Sequence, residues 1–267
     1  MGKGYTINMA DISISYFADH AEFESFCRDN CHDCYEIIYP LSTLGNCLVE
    51  GSEYSLESRT VLLIPPFSFH THSLSENSIC EGYSLRFSIN AIPEQISDII
   101  SKMNLEENNS GSFYYPSRIS NLLHDAFRRF EDASYLPETE RKAFLQMLVS
   151  EIIIILSASE SQIIAHKEQE LGARVAKYLN SNIEKNISLD KLATRFFVSK
   201  YHLCRAFKKH SGTSVHSYVN QKRIIYAKQL IESGASASDT AEQVGFGDYS
   251  AFYRAYVRIV GKAPTKK

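Results

Sequence analysis

At 267 residues, 44% hydrophobic and 22% charged, the chain has the length of two domains and the composition of a globular protein with ample core. Its longest apolar run, Ile152–Leu156, is five residues long and follows Glu151, which excludes a bilayer-spanning helix there. The formal net charge of −3 hides a split: from Leu171 onward 17 basic and 6 acidic side chains give +11, and residues 1–170 carry −14. A basic part that meets a polyanion, joined to an acidic part that does not, suits that asymmetry.

The N-terminus, M-G-K-G-Y-T, lacks the apolar stretch of a secretory signal, so a cytoplasmic location is expected. It also matches the myristoylation pattern Met-Gly-x-x-x-Thr, which is too short to be selective. Six cysteines (27, 31, 34, 47, 80 and 204) then read as thiols rather than disulfides. Cys27, Cys31 and Cys34 have the spacing of an iron–sulfur triad, but the βα alternation that would accompany one is missing from residues 1–110; a cysteine-rich loop fits better, with thiolate zinc binding together with His32 as the alternative.

Strand-like runs follow in order: residues 6–17, Tyr35–Tyr39, Glu53–Leu56, Thr60–Ile64 and Gly82–Ser88. Gly45-Asn46, Gly51-Ser52, Pro65-Pro66 and Glu76-Asn77-Ser78 punctuate them, a rhythm that predicts a β-sandwich or small barrel able to enclose a ligand. His32-x-x-x-Glu36, the Gly51…Tyr54 return and Thr60–Pro66 closing with His70 resemble the cupin-type effector domain of AraC-like regulators. Asn30 stands where that pattern has its first histidine. The resemblance implies a small-molecule effector and no cofactor; His32, Glu36, Tyr39, His70, His72, Tyr83 and Arg86 offer the aromatic walls and polar groups that suit a small polar ligand such as a sugar, unless the aromatics are barrel core. His32, Glu36 and His70 could instead hold zinc or iron, or satisfy one another by hydrogen bonds.

Pro116-Ser117 predicts a helix start, with Ser117 as N-cap and Ile119, Leu122, Leu123, Ala126, Phe127 and Phe130 on one apolar stripe. Pro137 opens a second helix, Glu138–Ser157, which is apolar on two faces: Phe144, Met147, Leu148, Ile152 and Ile155, and Leu145, Val149, Ile153 and Leu156. Such a helix is buried or shared with a partner chain, and the resemblance implies a homodimer interface. Ser157–Glu170 reads as a linker.

The basic half carries an internal echo. Ser199, Leu203, Arg205, Phe207 and Gly212 recur 49 residues later as Asp248, Phe252, Arg254, Tyr256 and Gly261, each within a short helix, a turn and a second helix. Ser188, Ser199, Ser236 and Asp248 stand at N-cap positions, and Gly234 ends the long helix Ser214–Ser233 between the units. On a helical wheel Leu203, Ala206, Phe207 and His210 face inward, and Tyr201, Cys204, Arg205 and Lys208 outward. In the second unit Phe252, Ala255, Tyr256 and Ile259 go inward, and Ser250, Tyr253, Arg254 and Val257 outward.

L-A-x-x-F-x-V-S-x-x-x-L-x-R-x-F-K-K-x-x-G followed by A-x-x-V-G-F-x-D-x-S-x-F-x-R-x-Y resembles the AraC/XylS DNA-binding domain, and the resemblance with the N-terminal half covers nearly the whole chain. It implies a non-enzymatic regulator, an activator by family habit, with double-stranded DNA, a small-molecule effector and RNA polymerase as partners and no membrane. The DNA contacts it implies are Lys200, Tyr201, Cys204, Arg205, Lys208, Lys209, Tyr249, Ser250, Tyr253, Arg254 and Arg258. The expected fold is α+β: a cupin-like barrel over 1–115, dimerisation helices over 116–157, a linker over 158–170 and an all-α double helix–turn–helix domain over 171–267. Three departures fall on the second unit: Thr240 for a core aliphatic, Val257 for a lysine, and an ending at Ala263-Pro264-Thr265-Lys266-Lys267 where the family continues. A weaker, more shape-dependent grip is expected there. The competing reading is a metal-binding cupin enzyme or metal sensor built on His32, Glu36 and His70.

Overall fold

The computed structural model describes residues 4–26, 31–74, 80–106, 113–115, 121–159 and 170–265. The expected cap at Ser117, Ile119, the turn at 76–78, Cys27, Asn30, the myristoylation glycine and most of the linker lie outside them. The chain separates into two compact units, one built chiefly from residues up to 165 and the other from 166 onward.

The first unit is rich in sheet. Its strands are β1 (Tyr5–Asn8), β2 (Ile12–Phe17), β3 (Tyr35–Pro40), β4 (Gly45–Val49), β5 (Ser52–Leu56), β6 (Val61–Ile64), β7 (His70–Leu74), β8 (Gly82–Phe87) and β9 (Phe113–Tyr115). Its helices are α1 (His20–Phe26), α2 (Glu94–Glu106), α3 (Asn121–Arg128) and α4 (Glu138–Ser157). The described strands form a six-stranded sheet, β1-β2-β8-β3-β6-β9, and a three-stranded sheet, β5-β4-β7. Of the two expected forms, sandwich or barrel, the described strands make two sheets, and the expected cupin-like barrel is corrected because it does not close. Gly45-Asn46, read as a break, begins β4 instead, and β7, which carries His70 and His72, was not anticipated.

The large sheet is covered on both faces, which explains why Y-E-I-I-Y and T-V-L-L-I run apolar without strict alternation. One face packs Tyr35, Ile37, Tyr39, Leu63, Leu85 and Phe87 against α2, α3 and α4. The other packs Phe17, Ile38, Leu62 and Ile64 against Cys47, Val49, Tyr54 and Leu56 of the small sheet. Because side chains alternate along a strand, neighbouring residues of β3 and β8 serve different cores.

On α3, Leu123, Ala126 and Phe127 are buried, as is Phe130 just beyond it, but Leu122 is 64% exposed and leaves the predicted stripe. α4 has the predicted bounds. It buries Leu145, Leu148, Val149, Ile152, Ile153 and Leu156, whereas Met147 and Ile154 are about half exposed. The stripe Leu145, Val149, Ile153 and Leu156 is buried whole, whereas the other keeps only Leu148 and Ile152 fully buried and leaves Met147 exposed.

The second unit is all-helical: α5 (Leu171–Asn180), α6 (Leu189–Arg195), α7 (Lys200–Ser211), α8 (Val215–Glu232), α9 (Ala237–Gln243) and α10 (Tyr249–Val260). Val175, Leu179, Leu192, Leu203 and Phe207 are buried around α5–α7. Ile224, Ala227 and Ile231 of α8 pack with Ala241, Val244, Phe252 and Tyr256.

Candidate nucleic-acid interface

α7 and α10 are each 12 residues long and start 49 residues apart. Each is closed at both ends by its own sequence. The Ser199 hydroxyl accepts the His202 N–H at 3.2 Å, and the Asp248 carboxylate accepts from Ser250 and Ala251 at 3.2 and 2.9 Å. Gly212 and Gly261 end the helices with φ of 73° and 78°, the left-handed conformation usual at that position. The first helices repeat differently. α6 and α9 start 48 residues apart, so the second turn is one residue longer, and Gly247 occupies the extra position. Ser188 sits at the N-cap of α6 without a side-chain capping bond, whereas the Ser236 hydroxyl accepts the Asp239 N–H at 3.1 Å.

The predicted faces appear as drawn. Leu203, Phe207, Phe252, Ala255 and Tyr256 are buried. Tyr201, Arg205, Lys208, Lys209, Tyr249, Ser250, Tyr253, Arg254 and Arg258 are exposed, and Cys204 is half-buried. Ala206 and Ile259 are only partly buried. Lys200 is exposed too, but its ammonium lies 2.6 Å from Asp190 on α6. That pair must open before Lys200 can reach a phosphate, at a cost of about 1 kcal/mol or less for so exposed a bridge.

Two features were not anticipated. Buried Arg223, on α8, donates to the Ile183, Lys185 and Gly245 carbonyls at 2.7, 2.6 and 2.8 Å. It therefore ties the loop before α6 to the turn between α9 and α10, and cross-braces the two helix–turn–helix units. Gly245 completes the brace. Its φ is +86°, and a Cβ there would lie 2.1 Å from the Glu184 carbonyl, so no other residue fits. The corresponding position in the first turn is Phe197, 94% exposed at φ 56°, an uncommon conformation for a bulky residue. The only sequence signal for the brace was an arginine on the apolar face of α8.

In the first unit the predicted pocket divides. Glu36 and Arg86 lie on the inter-sheet side of β3 and β8, where Glu36 meets His70 at 3.2 Å, Arg86 at 3.2 Å and the Ser84 hydroxyl at 2.8 Å. The His70 Nδ1–H donates to the Ser68 carbonyl at 3.1 Å. His72 is held neutral, its pKa lowered to about 4 by burial and by His70. Tyr39 and Tyr83 belong to the opposite, helix-covered face, so they do not share a pocket with Glu36 and His70. Cys80 and Cys204 are thiols, and no described helix is long and apolar enough to cross a membrane.

Comparison with known proteins places this geometry. Residues 192–267 match a family model described as "Helix-turn-helix domain". The probable transcriptional regulator LumQ of Photobacterium leiognathi is 26% identical over 233 residues, 85% of this chain and 88% of that protein. The HTH-type transcriptional activator RhaS of Enterobacter sp. (strain 638) is 24% identical over 243 residues, 87% of this chain and 84% of that one. The probable transcription factor PqrA of Proteus vulgaris is 32% identical over 95 residues, 34% of this chain and 78% of that protein. The chain belongs to the AraC/XylS family. It is a DNA-binding transcriptional regulator with a sheet-rich N-terminal unit and a helical, helix–turn–helix C-terminal unit. In this AraC-type regulator the conformations of α7 and α10 follow from the capping residues and the buried apolar faces alone.

Proposed function

We propose that the regulator inserts α7 and α10 into successive major grooves and activates transcription in response to a small molecule bound by its N-terminal unit. One observation carries the reading: two 12-residue helices with matching caps, each presenting exposed tyrosine and arginine outward from a unit of charge +11. Arg205 and Arg254 supply the forked geometry that reads guanine, while Lys208, Lys209 and Arg258 neutralise phosphates. Lys200, Tyr201, Cys204, Tyr249, Ser250 and Tyr253 complete the contact set. Fluorescence anisotropy on DNA selected from a random pool tests this. Arg205→Ala is expected to lose about 1–3 kcal/mol on that DNA and to relax base preference at one position. Equal loss on all sequences would reduce Arg205 to a phosphate contact.

A homodimer is part of the proposal. Leu122, Met147 and Ile154 are exposed beside Pro93, Ile96 and Ile155 around a groove of about 560 Å³, which a second copy would cover. The effector, with sugars among the candidates, would couple to operator occupancy by about 1–3 kcal/mol, and activation would engage RNA polymerase.

A second reading, a zinc or iron sensor on His32, Glu36 and His70, is favoured by the His70 imidazole lying 3.2 Å from the Glu36 carboxylate. Against it, the Glu36 carboxylate already takes Ser84 and Arg86. Metal analysis of the purified chain decides: stoichiometric zinc or iron supports the sensor, and a metal-free protein with normal DNA binding removes it.

A further inference from the structure

On the helix-covered face of the large sheet, four tyrosines stand on one rung of four adjacent strands. Tyr5 of β1 faces Tyr16 of β2, Tyr16 faces Tyr83 of β8, and Tyr83 faces Tyr39 of β3. Their ring centroids are 5.7, 5.2 and 6.3 Å apart in turn. The inner end is sealed: Phe127 of α3 stacks on Tyr39 at 4.8 Å. The outer end is open, and a cavity of about 340 Å³ lies over Tyr5, Tyr16 and Tyr83, rimmed by Glu81, His124, Arg128 and Glu131.

The cavity is built for charge. The Tyr16 hydroxyl donates to Glu81 at 2.6 Å and fixes that carboxylate at the wall. The Tyr5 hydroxyl is buried and finds no hydrogen-bond partner among the described residues, which leaves a donor and acceptor for something else. Two carboxylates face one guanidinium. Burial, with Arg59 and Arg128 nearby, shifts the His124 imidazole below its usual range, which favours its neutral form. Burial raises the Tyr5 and Tyr16 phenols, and Glu131 and Glu81 raise them further. The Glu131 and Glu81 carboxylates that oppose a phenolate attract a cation, as do the tyrosine ring faces, while Arg128 acts against it at Tyr83.

We propose that this cavity binds a small organic cation, its ammonium head against Tyr5, Tyr16 and Tyr83 and its charge balanced by Glu81 and Glu131. The proposal rests on the effector-responsive reading above and moves the effector from the inter-sheet cluster of Glu36, His70 and Arg86 to the opposite face of the sheet.

The test uses calorimetric titration of the full chain with choline, with phenethylammonium, and with 3,3-dimethylbutan-1-ol as choline's uncharged isostere. At least one cation is expected to bind saturably, and the isostere about tenfold more weakly than choline. Glu131 and Arg128 are exposed, so their variants spare the core. Glu131→Gln should weaken cation binding, and Arg128→Gln should strengthen it, while neither moves the unliganded melting temperature. Absence of binding by both cations at about 10 mM, far above the range in which a useful site saturates, overturns the proposal, as does equal binding of choline and its isostere. If a cation binds but leaves affinity for the selected DNA unchanged, the site stands and the effector reading fails. If neither cation binds while another small molecule shifts DNA affinity, the effector reading stands and this cavity is not its site.

Discussion

Thr240→Val should stabilise the second helix–turn–helix unit. Thr240 lies on α9 with 0% exposure, and its hydroxyl has no hydrogen-bond partner among the described residues. It packs where Ala241, Val244 and Phe252 form an apolar core. A buried hydroxyl without a bond costs about 1–3 kcal/mol on protein mutational scales. Valine has the same shape and a similar helix propensity, so nothing else of comparable size changes. A gain of about 1–3 kcal/mol raises the midpoint of a domain of this size by about 4–8 °C per kcal/mol. Differential scanning calorimetry of the full chain reads the shift in the transition of the C-terminal unit. An unchanged or lowered midpoint would mean that the hydroxyl is satisfied, and the weakness assigned to this unit would need another cause.

Arg223→Met keeps the apolar stem and removes three donors; it should cost about 2–4 kcal/mol by leaving three carbonyls unsatisfied, seen as a lower denaturation midpoint. On DNA the same change should lengthen the tolerated spacing between half-sites, which selection from a random pool would show. Met147→Glu on the exposed face of α4 should shift the chain to monomer in light scattering without lowering its melting temperature. Acid should destabilise the N-terminal unit through His72: its pKa falls from 6.5 to about 4 on folding, so the contribution is complete above pH 6.5 and is lost as pH drops toward 4. That shift corresponds to about 3 kcal/mol, and His72→Gln should flatten the pH profile of the melting temperature over this range.

The second unit was legible in the sequence because its signals are local. Ser199, Asp248, Gly212 and Gly261 act within a turn of where they sit, and the 3.6-residue period alone separates Leu203 and Phe207 from Tyr201 and Arg205. The first unit was less legible because its signals are not local. A sheet covered on both faces erases alternation in Y-E-I-I-Y, so the register that sends Glu36 one way and Tyr39 the other appears only once β3 is paired with β6 and β8. The predicted pocket joined residues from both faces for that reason. The tyrosine rung depends on pairing four strands that are up to 78 positions apart in sequence, from Tyr5 to Tyr83. Arg223 was hidden differently: its partners are backbone carbonyls, which carry no side-chain signature.

Two braced helices are proposed to read two major grooves. Missing-base interference on DNA selected by the wild-type chain tests it most directly. Two blocks of sensitive bases are expected about one helical turn, roughly 10 base pairs, apart, with Arg205→Ala erasing one block and Arg254→Ala the other. A single block, or loss of both blocks in either variant, would contradict it.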